Sequence, residues 1–189
     1  FLNPIYLDLL GAAAELGFPE LAARFADMAQ KEPIRSLRAR DQVDYPGVAQ
    51  VKAAALRELW TAFLVREGHP DRPQGQWGRD FAAFLSQEGD LLKCFGTFLA
   101  LSDYWRRQGQ DYQRWQQWPR AYHDPWSPAV FEFAQQYEEE VLEHCFAQWL
   151  SARQLQQTAA QAHQAGLPLG LYLDLAVGVN PGGFDTWAH

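Results

Sequence analysis

The sequence is poor in cysteine, with Cys94 and Cys145 as its only two. Two cysteines build no disulfide framework, and unpaired thiols at this density fit a reducing compartment. No apolar run approaches the roughly 20 residues of a membrane-spanning helix, and no basic-then-apolar leader opens the chain. A cytoplasmic location with no membrane partner is the resulting expectation. Positive charge is also short: 16 Lys and Arg stand against 23 Asp and Glu, a formal net charge of −7. Affinity for a phosphate backbone comes mainly from clustered cations, so nucleic acid is not an expected partner. His69, His123, His144, His163 and His189 have no metal-ligand spacing, and no glycine-rich loop cradles a phosphate. Neither a metal nor another cofactor is therefore expected. His144 and Cys145 are adjacent on a helical pattern, which turns their side chains apart and argues against a Cys–His nucleophilic pair.

What the chain does have is apolar bulk. Hydrophobic residues make up 48% and charged residues 21%, enough to bury a core in a chain of 189 residues. Aromatics are abundant, with 12 Phe, 8 Trp and 7 Tyr. Phe1 to Asp8, interrupted by Pro4, reads as an extended arm or edge segment. A helix is predicted from Pro19 to about Glu32, ended by Pro33. Asp44 caps the next helix, with Pro46 in its first turn, an apolar stripe of Val48, Val51, Ala55, Leu59 and Phe63, and a stop at Gly68. Residues 68–78, rich in Gly, Pro, Gln and Arg, read as a loop with a flexible tip. A short helix ends at Gly89, and a stronger one follows with Leu91, Phe95, Phe98, Leu99 and Trp105 along one side. Residues 108–125 form an aromatic connector. Ser127 and Pro128 start a helical pattern that runs to about Ala165, long enough to imply a break near Glu138. Gly166 closes it. The apolar run from Leu167 to Asp174 then has the grammar of a buried strand in a parallel α/β barrel, and residues 180–183 form a turn.

At this run the sequence resembles a family. Gly166-Leu-Pro-Leu-Gly-Leu-Tyr-Leu-Asp174, continuing through Asn180-Pro-Gly-Gly-Phe-Asp-Thr-Trp187, is similar to a stretch of the 4-α-glucanotransferases, the amylomaltases of glycoside hydrolase family 77, in their bacterial maltose-utilisation branch. Other blocks agree in order. Phe1 to Asp8 resembles the segment after the family's first substrate-binding loop. Val43-Asp-Tyr-Pro46, Val51-Lys52 and Leu56-Arg57-Glu-Leu-Trp60 resemble its helical insertion. Trp118-Pro119, Ser127-Pro128 and Phe146-Ala-Gln-Trp149-Leu150 with Gln154 resemble the helix leading into a barrel strand. Gly166 departs from the family, much of which has an acidic residue there, so no role of that carboxylate carries over.

The resemblance implies a mainly α region: a helical insertion plus one or two short strands of an interrupted (β/α)8 TIM barrel. The expected division is 1–10 as an extended barrel-linked segment, 11–126 as the helical insertion, and 127–189 as helix, barrel strand and following turn. It further implies transfer of α-1,4-glucan segments between malto-oligosaccharides with release of glucose. The implied mechanism is retaining double displacement by an Asp nucleophile and a Glu acid/base, which needs two carboxylates roughly 5–5.5 Å apart. The family's Arg-x-Asp-His motif and its acid/base Glu match no segment here, so this chain is expected to hold no catalytic residue and to be inactive alone. Starting at Phe1 and ending at His189, it reads as an internal piece of a longer enzyme.

Candidate substrate-binding residues remain. Asp174 would sit at the carboxyl end of a barrel strand, where sugar hydroxyls could be bound, or would cap the following turn. Tyr172 and Trp187 could stack on sugar rings. For Tyr172, inside the apolar run, core packing is the preferred reading; Trp187, past the Gly-Gly turn, has the better chance of the two. Glu138-Glu139-Glu140 reads as a solvated face. Unpaired barrel edges make a homo-oligomer conceivable. The alternative reading is a free-standing helical module that binds a protein or glucan through its aromatic connector; for Trp115, Trp118, Tyr122 and Trp126 themselves, packing of the insertion onto the barrel is the preferred reading over a glucan surface.

Overall fold

A computed structural model describes residues 1–110, 112, 114–172 and 178–189. The regular elements among these residues are helices, and no strand occurs among them. No helix among them is long and apolar enough to cross a membrane. The helices are α1 (Leu9–Glu15), α2 (Pro19–Met28), α3 (Ile34–Arg38), α4 (Tyr45–Glu67), α5 (Gln76–Arg107), α6 (Pro128–Gln136), α7 (Glu138–Gln164) and α8 (Phe184–Ala188). Two compact units result. The first comprises Phe1–Phe84 and Ala147–Ala160, the second Leu85–Phe146 and Gln161–His189.

Local chemistry sets most boundaries. The Asp44 carboxylate accepts from the Gly47 N–H at 3.0 Å and caps α4, with Pro46 in the first turn as the sequence predicts. The Ser127 hydroxyl does the same for α6, accepting from Val130 N–H at 3.3 Å. Tyr137, at φ −115° and ψ 36°, separates α6 from α7 at the predicted break. Within α5, Gly89 leaves helical geometry at φ 65° and ψ −152°, again where a stop is predicted. After α7 the N–H of Leu167 reaches the Ala162 carbonyl and that of Gly166 the His163 carbonyl, both at 3.0 Å. This pair of bonds is the Schellman closure expected around a glycine.

The opening arm is not extended throughout. Pro4–Tyr6 is a single 3-10 turn whose Asn3 side chain accepts from the Ile5 N–H at 3.1 Å. Asp8 then caps α1 by accepting from Gly11 N–H at 2.9 Å. That short helix buries Leu9, Ala12 and Ala13 and goes unseen in the sequence, because about two alanine-rich turns carry no wide apolar stripe. The helix predicted to run to Glu32 stops at Met28, and α3 follows.

The loop after α4 is pinned rather than free. Glu67 is 5% exposed. Its carboxylate accepts from the N–H of Gly78 in the first turn of α5 at 3.1 Å, and its carbonyl accepts from Gln74 N–H at 2.7 Å. A Cβ at Gly78 would lie 2.5 Å from that carbonyl oxygen, so the closure needs glycine.

In the first unit, Phe63, Phe81 and Trp149 form the core, with ring centroids 5.6 Å apart for both Phe63–Trp149 and Phe81–Trp149. In the second, Phe98, Trp118, Phe184 and Trp187 cluster at centroid distances from 5.3 to 6.4 Å. There α5 and α7 approach closely at Gly96, where a Cβ would lie 2.8 Å from the Val141 carbonyl oxygen and 3.0 Å from Cys145 Sγ. Gly96→Ala must push these helices apart and is expected to cost about 1–3 kcal/mol, read as a lower midpoint in urea unfolding. A midpoint equal to wild type would contradict the close approach.

The predicted barrel strand is corrected by its described part. Residues 167–172 are turn and irregular backbone, with Leu167, Leu169 and Tyr172 exposed to 54%, 91% and 97%. A strand needs a hydrogen-bonding neighbour, and no described segment supplies one.

Candidate functional site

Of the three substrate-binding candidates, Asp174 lies outside the described residues. Tyr172 is exposed, the opposite of the preferred core-packing reading. Trp187 is 2% exposed: its ring meets Phe98, Trp118 and Phe184, and its indole N–H donates to the Tyr122 carbonyl at 2.8 Å. The turn at 180–183 does not open this residue to solvent, because α8 begins at once and folds the indole inward. Trp187 and Tyr172 are not brought together as a sugar platform.

The connector aromatics are mostly spent on packing. Trp118 is 4% exposed, Trp115 Nε1 donates to Thr186 Oγ1 at 3.1 Å, and Tyr122 packs on Trp105 and Phe133. Trp126 alone of the four is largely exposed, at 69%. Packing, the preferred reading for these residues, thus accounts for Trp115, Trp118 and Tyr122.

The densest polar arrangement lies in the first unit, on α7, and the sequence reading missed it. Arg153 donates to Asp80 at 2.8 Å and to Glu15 at 2.5 Å, with its guanidinium 4.5 Å from the Trp77 ring centroid and 5.3 Å from that of Trp149. Gln157 adds a bond to Glu15 at 2.9 Å. Burial by itself would raise the Glu15 pKa, but the hydrogen bonds from Arg153 and Gln157 and the Arg153 charge outweigh it and hold the carboxyl below its ordinary value. On the same helix, Gln148 and Gln154 each exchange two hydrogen bonds with the backbone of the opening arm. The one hint in the sequence is the placing of glutamines inside an otherwise apolar stretch of helix.

An open groove of about 580 Å³ is lined by residues of α2 and α4, among them Leu21, Ala62 and Val65. Its ends are tied internally: Arg24 pairs with Glu58, and the Arg66 guanidinium lies 3.7 Å from the Phe18 ring centroid. The covered Phe18 face offers little to a sugar ring.

A glycosidic acid needs a carboxyl whose pKa is raised. The two carboxyls with a displaced pKa, Glu15 and Asp103, both move down. At Asp103 burial pushes upward, while the hydrogen bond and charge of His144 and the neighbouring Arg106 push down more strongly. His144 Nε2 lies 3.2 Å from Asp103 Oδ2, and Cys145 Sγ faces the Leu92 carbonyl at 3.7 Å. The Cys–His pair is therefore absent, as the adjacency of the two residues predicts. Burial raises the Cys145 thiol to about 12 and the Cys94 thiol to about 11.

Kinship decides the assignment. The family model described as 4-alpha-glucanotransferase, of glycoside hydrolase family 77, matches residues 1–189. The chain belongs to this family. It is 32% identical over 198 residues to the 4-alpha-glucanotransferase of Mycobacterium tuberculosis (strain CDC 1551 / Oshkosh), covering 100% of this chain and 24% of that protein. It is 27% identical over 191 residues to the enzyme of the same name from Haemophilus influenzae, covering 100% of this chain and 27% of the relative. For the Synechocystis enzyme the figures are 29% over 190 residues, 100% and 33%. The family member described here thus spans about a quarter to a third of the length of these curated relatives.

Two outcomes follow from the site electrostatics. Because its folded pKa is lowered, the Asp103 carboxylate stabilises the protein above its unfolded pKa of about 3.9 and loses that contribution as pH falls through the lower folded value. The Tm gap between wild type and Asp103→Asn, open at pH 5.5, should close progressively as pH is brought below about 4. A gap that stays constant would contradict the ion pair. Separately, neither thiol should react with an aromatic disulfide reagent at pH 8 in the native protein, and both should react after unfolding.

Proposed function

We propose that this chain is the helical middle portion of a 4-α-glucanotransferase. The whole enzyme transfers α-1,4-glucan segments between malto-oligosaccharides and releases glucose. The reaction is a retaining double displacement: a carboxylate attacks the anomeric carbon, a second carboxyl protonates the leaving oxygen, and an acceptor sugar hydroxyl then displaces the enzyme from the glycosyl intermediate. Both carboxyls lie outside these 189 residues, and the chain alone is inactive.

The observation that carries this reading is the family match over residues 1–189, joined to relatives three to four times as long. The downward shifts at Glu15 and Asp103 agree with it, because neither is poised to donate a proton at neutral pH. In this reading the rest of the enzyme covers the segment that begins at Leu167. The exposure of Leu169 and Tyr172 supports that, since large apolar side chains are left uncovered on the segment. Asp174 and Tyr172 would then face malto-oligosaccharide, the carboxylate on hydroxyls and the ring on the C–H side of a glucose. Trp187 could take part only if its packing opened.

The test is glucose release from maltotriose, with longer maltodextrins as co-products. The full-length gene product should release it, and the 189-residue chain should not. Turnover by the chain alone would overturn the placing of the carboxylates outside it, and a full-length product without transfer activity would overturn the function.

A further inference from the structure

Packing leaves Trp126 unexplained. It is 69% exposed, and Phe131, on the first turns of α6, is 64% exposed. Ser127 is the N-cap of that helix. Trp126 therefore stands just before the cap, and Phe131 at the fourth helical position. Apolar residues at these two positions lie on one side of a helix start and commonly meet there. Here each ring keeps most of its surface. The other side of α6 is the anchored one: Val130 and Phe133 are 4% and 5% exposed, and Phe133 packs on Tyr104, Tyr122 and Tyr137.

The backbone beneath the pair is held still. Trp126 N–H donates to Asp124 Oδ1 at 2.9 Å, and Ser127 N–H donates to the Asp124 carbonyl at 3.1 Å. The Ser127 hydroxyl donates to the Ala121 carbonyl at 2.7 Å. Pro125 and Pro128 stand on either side, each with its φ fixed by the ring. An indole on so constrained a backbone loses little freedom when it binds.

The surrounding chemistry narrows the occupant. No lysine or arginine occurs between Arg120 and Arg153, while Asp124, Glu132, Glu138 and Glu139 are exposed in that stretch. Such a rim repels polyanions. The two rings offer on the order of 300 Å² of aromatic surface. That falls well short of the roughly 800 Å² that each partner buries in a stable protein complex. It is enough for a short run of sugar rings. The negative face of an aromatic ring attracts the C–H groups on one side of a glucose. Asp124 offers acceptors to sugar hydroxyls. Gln135, one turn beyond Phe131 on the same face, offers both a donor and an acceptor.

We infer that Trp126 and Phe131 form a surface site for an α-1,4-glucan chain, with Asp124 and Gln135 on the sugar hydroxyls. The kind of sugar rests on the glucanotransferase reading above; the place rests on the exposed pair. The site holds a long glucan on the enzyme and makes or breaks no bond.

The experiment uses the full-length enzyme. Hydroxyl-radical footprinting, read by mass spectrometry on the peptide containing Trp126, should show ready oxidation of Trp126 in the free enzyme and at least fivefold slower oxidation with maltoheptaose. In native gels containing amylopectin, Trp126→Ala should bind at least fivefold more weakly than wild type and Phe131→Ala about twofold more weakly. Trp126→Tyr should retain most of the affinity. Equal retardation of Trp126→Ala and wild type overturns the site, and so does oxidation of Trp126 that maltoheptaose leaves unchanged. A Trp126 that resists oxidation in the free enzyme is covered by another part of the enzyme, or by a second copy where the protection grows with protein concentration, and either result overturns the site. Transfer from maltotriose is measured in parallel. A wild type without it overturns the glucanotransferase reading, while the protection of Trp126 still judges the glucan site.

Discussion

Burying the Trp149 indole N–H without an acceptor would cost about 1–3 kcal/mol, and the first unit supplies one. The ring is 2% exposed, set against Phe63 of α4 and Phe81 and Trp77 of α5. Its Nε1 reaches Asp80 at 3.3 Å. An acceptor carboxylate at the edge of a core is costly unless its charge is met, and Arg153 meets it from the next turn of the same helix. Arg153 is then free to reach Glu15, which ties α1 into the cluster. One aromatic burial thus draws α1, α4, α5 and α7 together. The pairs of rings contribute on the order of 0.5–1.5 kcal/mol each beyond the area they bury.

Helix ends were the most legible feature of the sequence, because each is decided by one or two residues acting locally. Asp44, Ser127, Gly89 and Gly166 behave as their chemistry dictates. Two kinds of feature were not legible. Short helices such as α1 and α3 draw their stability from what they pack against, which no window of sequence contains. The fate of single aromatics is likewise a tertiary matter. Tyr172 sits in an apolar run and yet is exposed, and Trp187 follows a glycine turn and yet is buried. Local texture predicts whether a residue could be buried. It does not say whether a partner surface is present, and for residues 167–172 none is supplied by a described segment. The loop at 68–78 fails for a related reason: its composition signals a turn, while its rigidity comes from the buried Glu67, which precedes it.

The functional assignment depends on a division between chemistry and support. The Glu15 and Asp103 carboxyls are held below their ordinary values, the opposite of what proton donation to a glycosidic oxygen demands, and burial raises the Cys94 and Cys145 thiols. What the residues do have is extensive mutual satisfaction: Arg153 with two carboxylates, Arg66 with the carbonyls of Leu16 and Gly17, Glu67 with two loop N–H groups. Groups so engaged hold geometry rather than react. Family membership gives such a scaffold a reaction to serve.

The stretch of α7 from Gln148 to Gln157 holds two sets of partners at once. Trp149 and Arg153 are four residues apart and share one face, directed at the core and at Asp80. Gln148 and Gln154 flank that face and are directed at the arm. Backbone and core are therefore gripped by alternate side chains of the same helix. Rotating the helix to relieve one set would strain the other, since about 100° separates successive residues. Such a helix has one acceptable setting, and the arm inherits it. A positional tolerance well under an ångström is what binding and transfer sites require of their supports. Paired amide–backbone bonds to a rigid helix meet that requirement better than apolar contact, which constrains distance but not register.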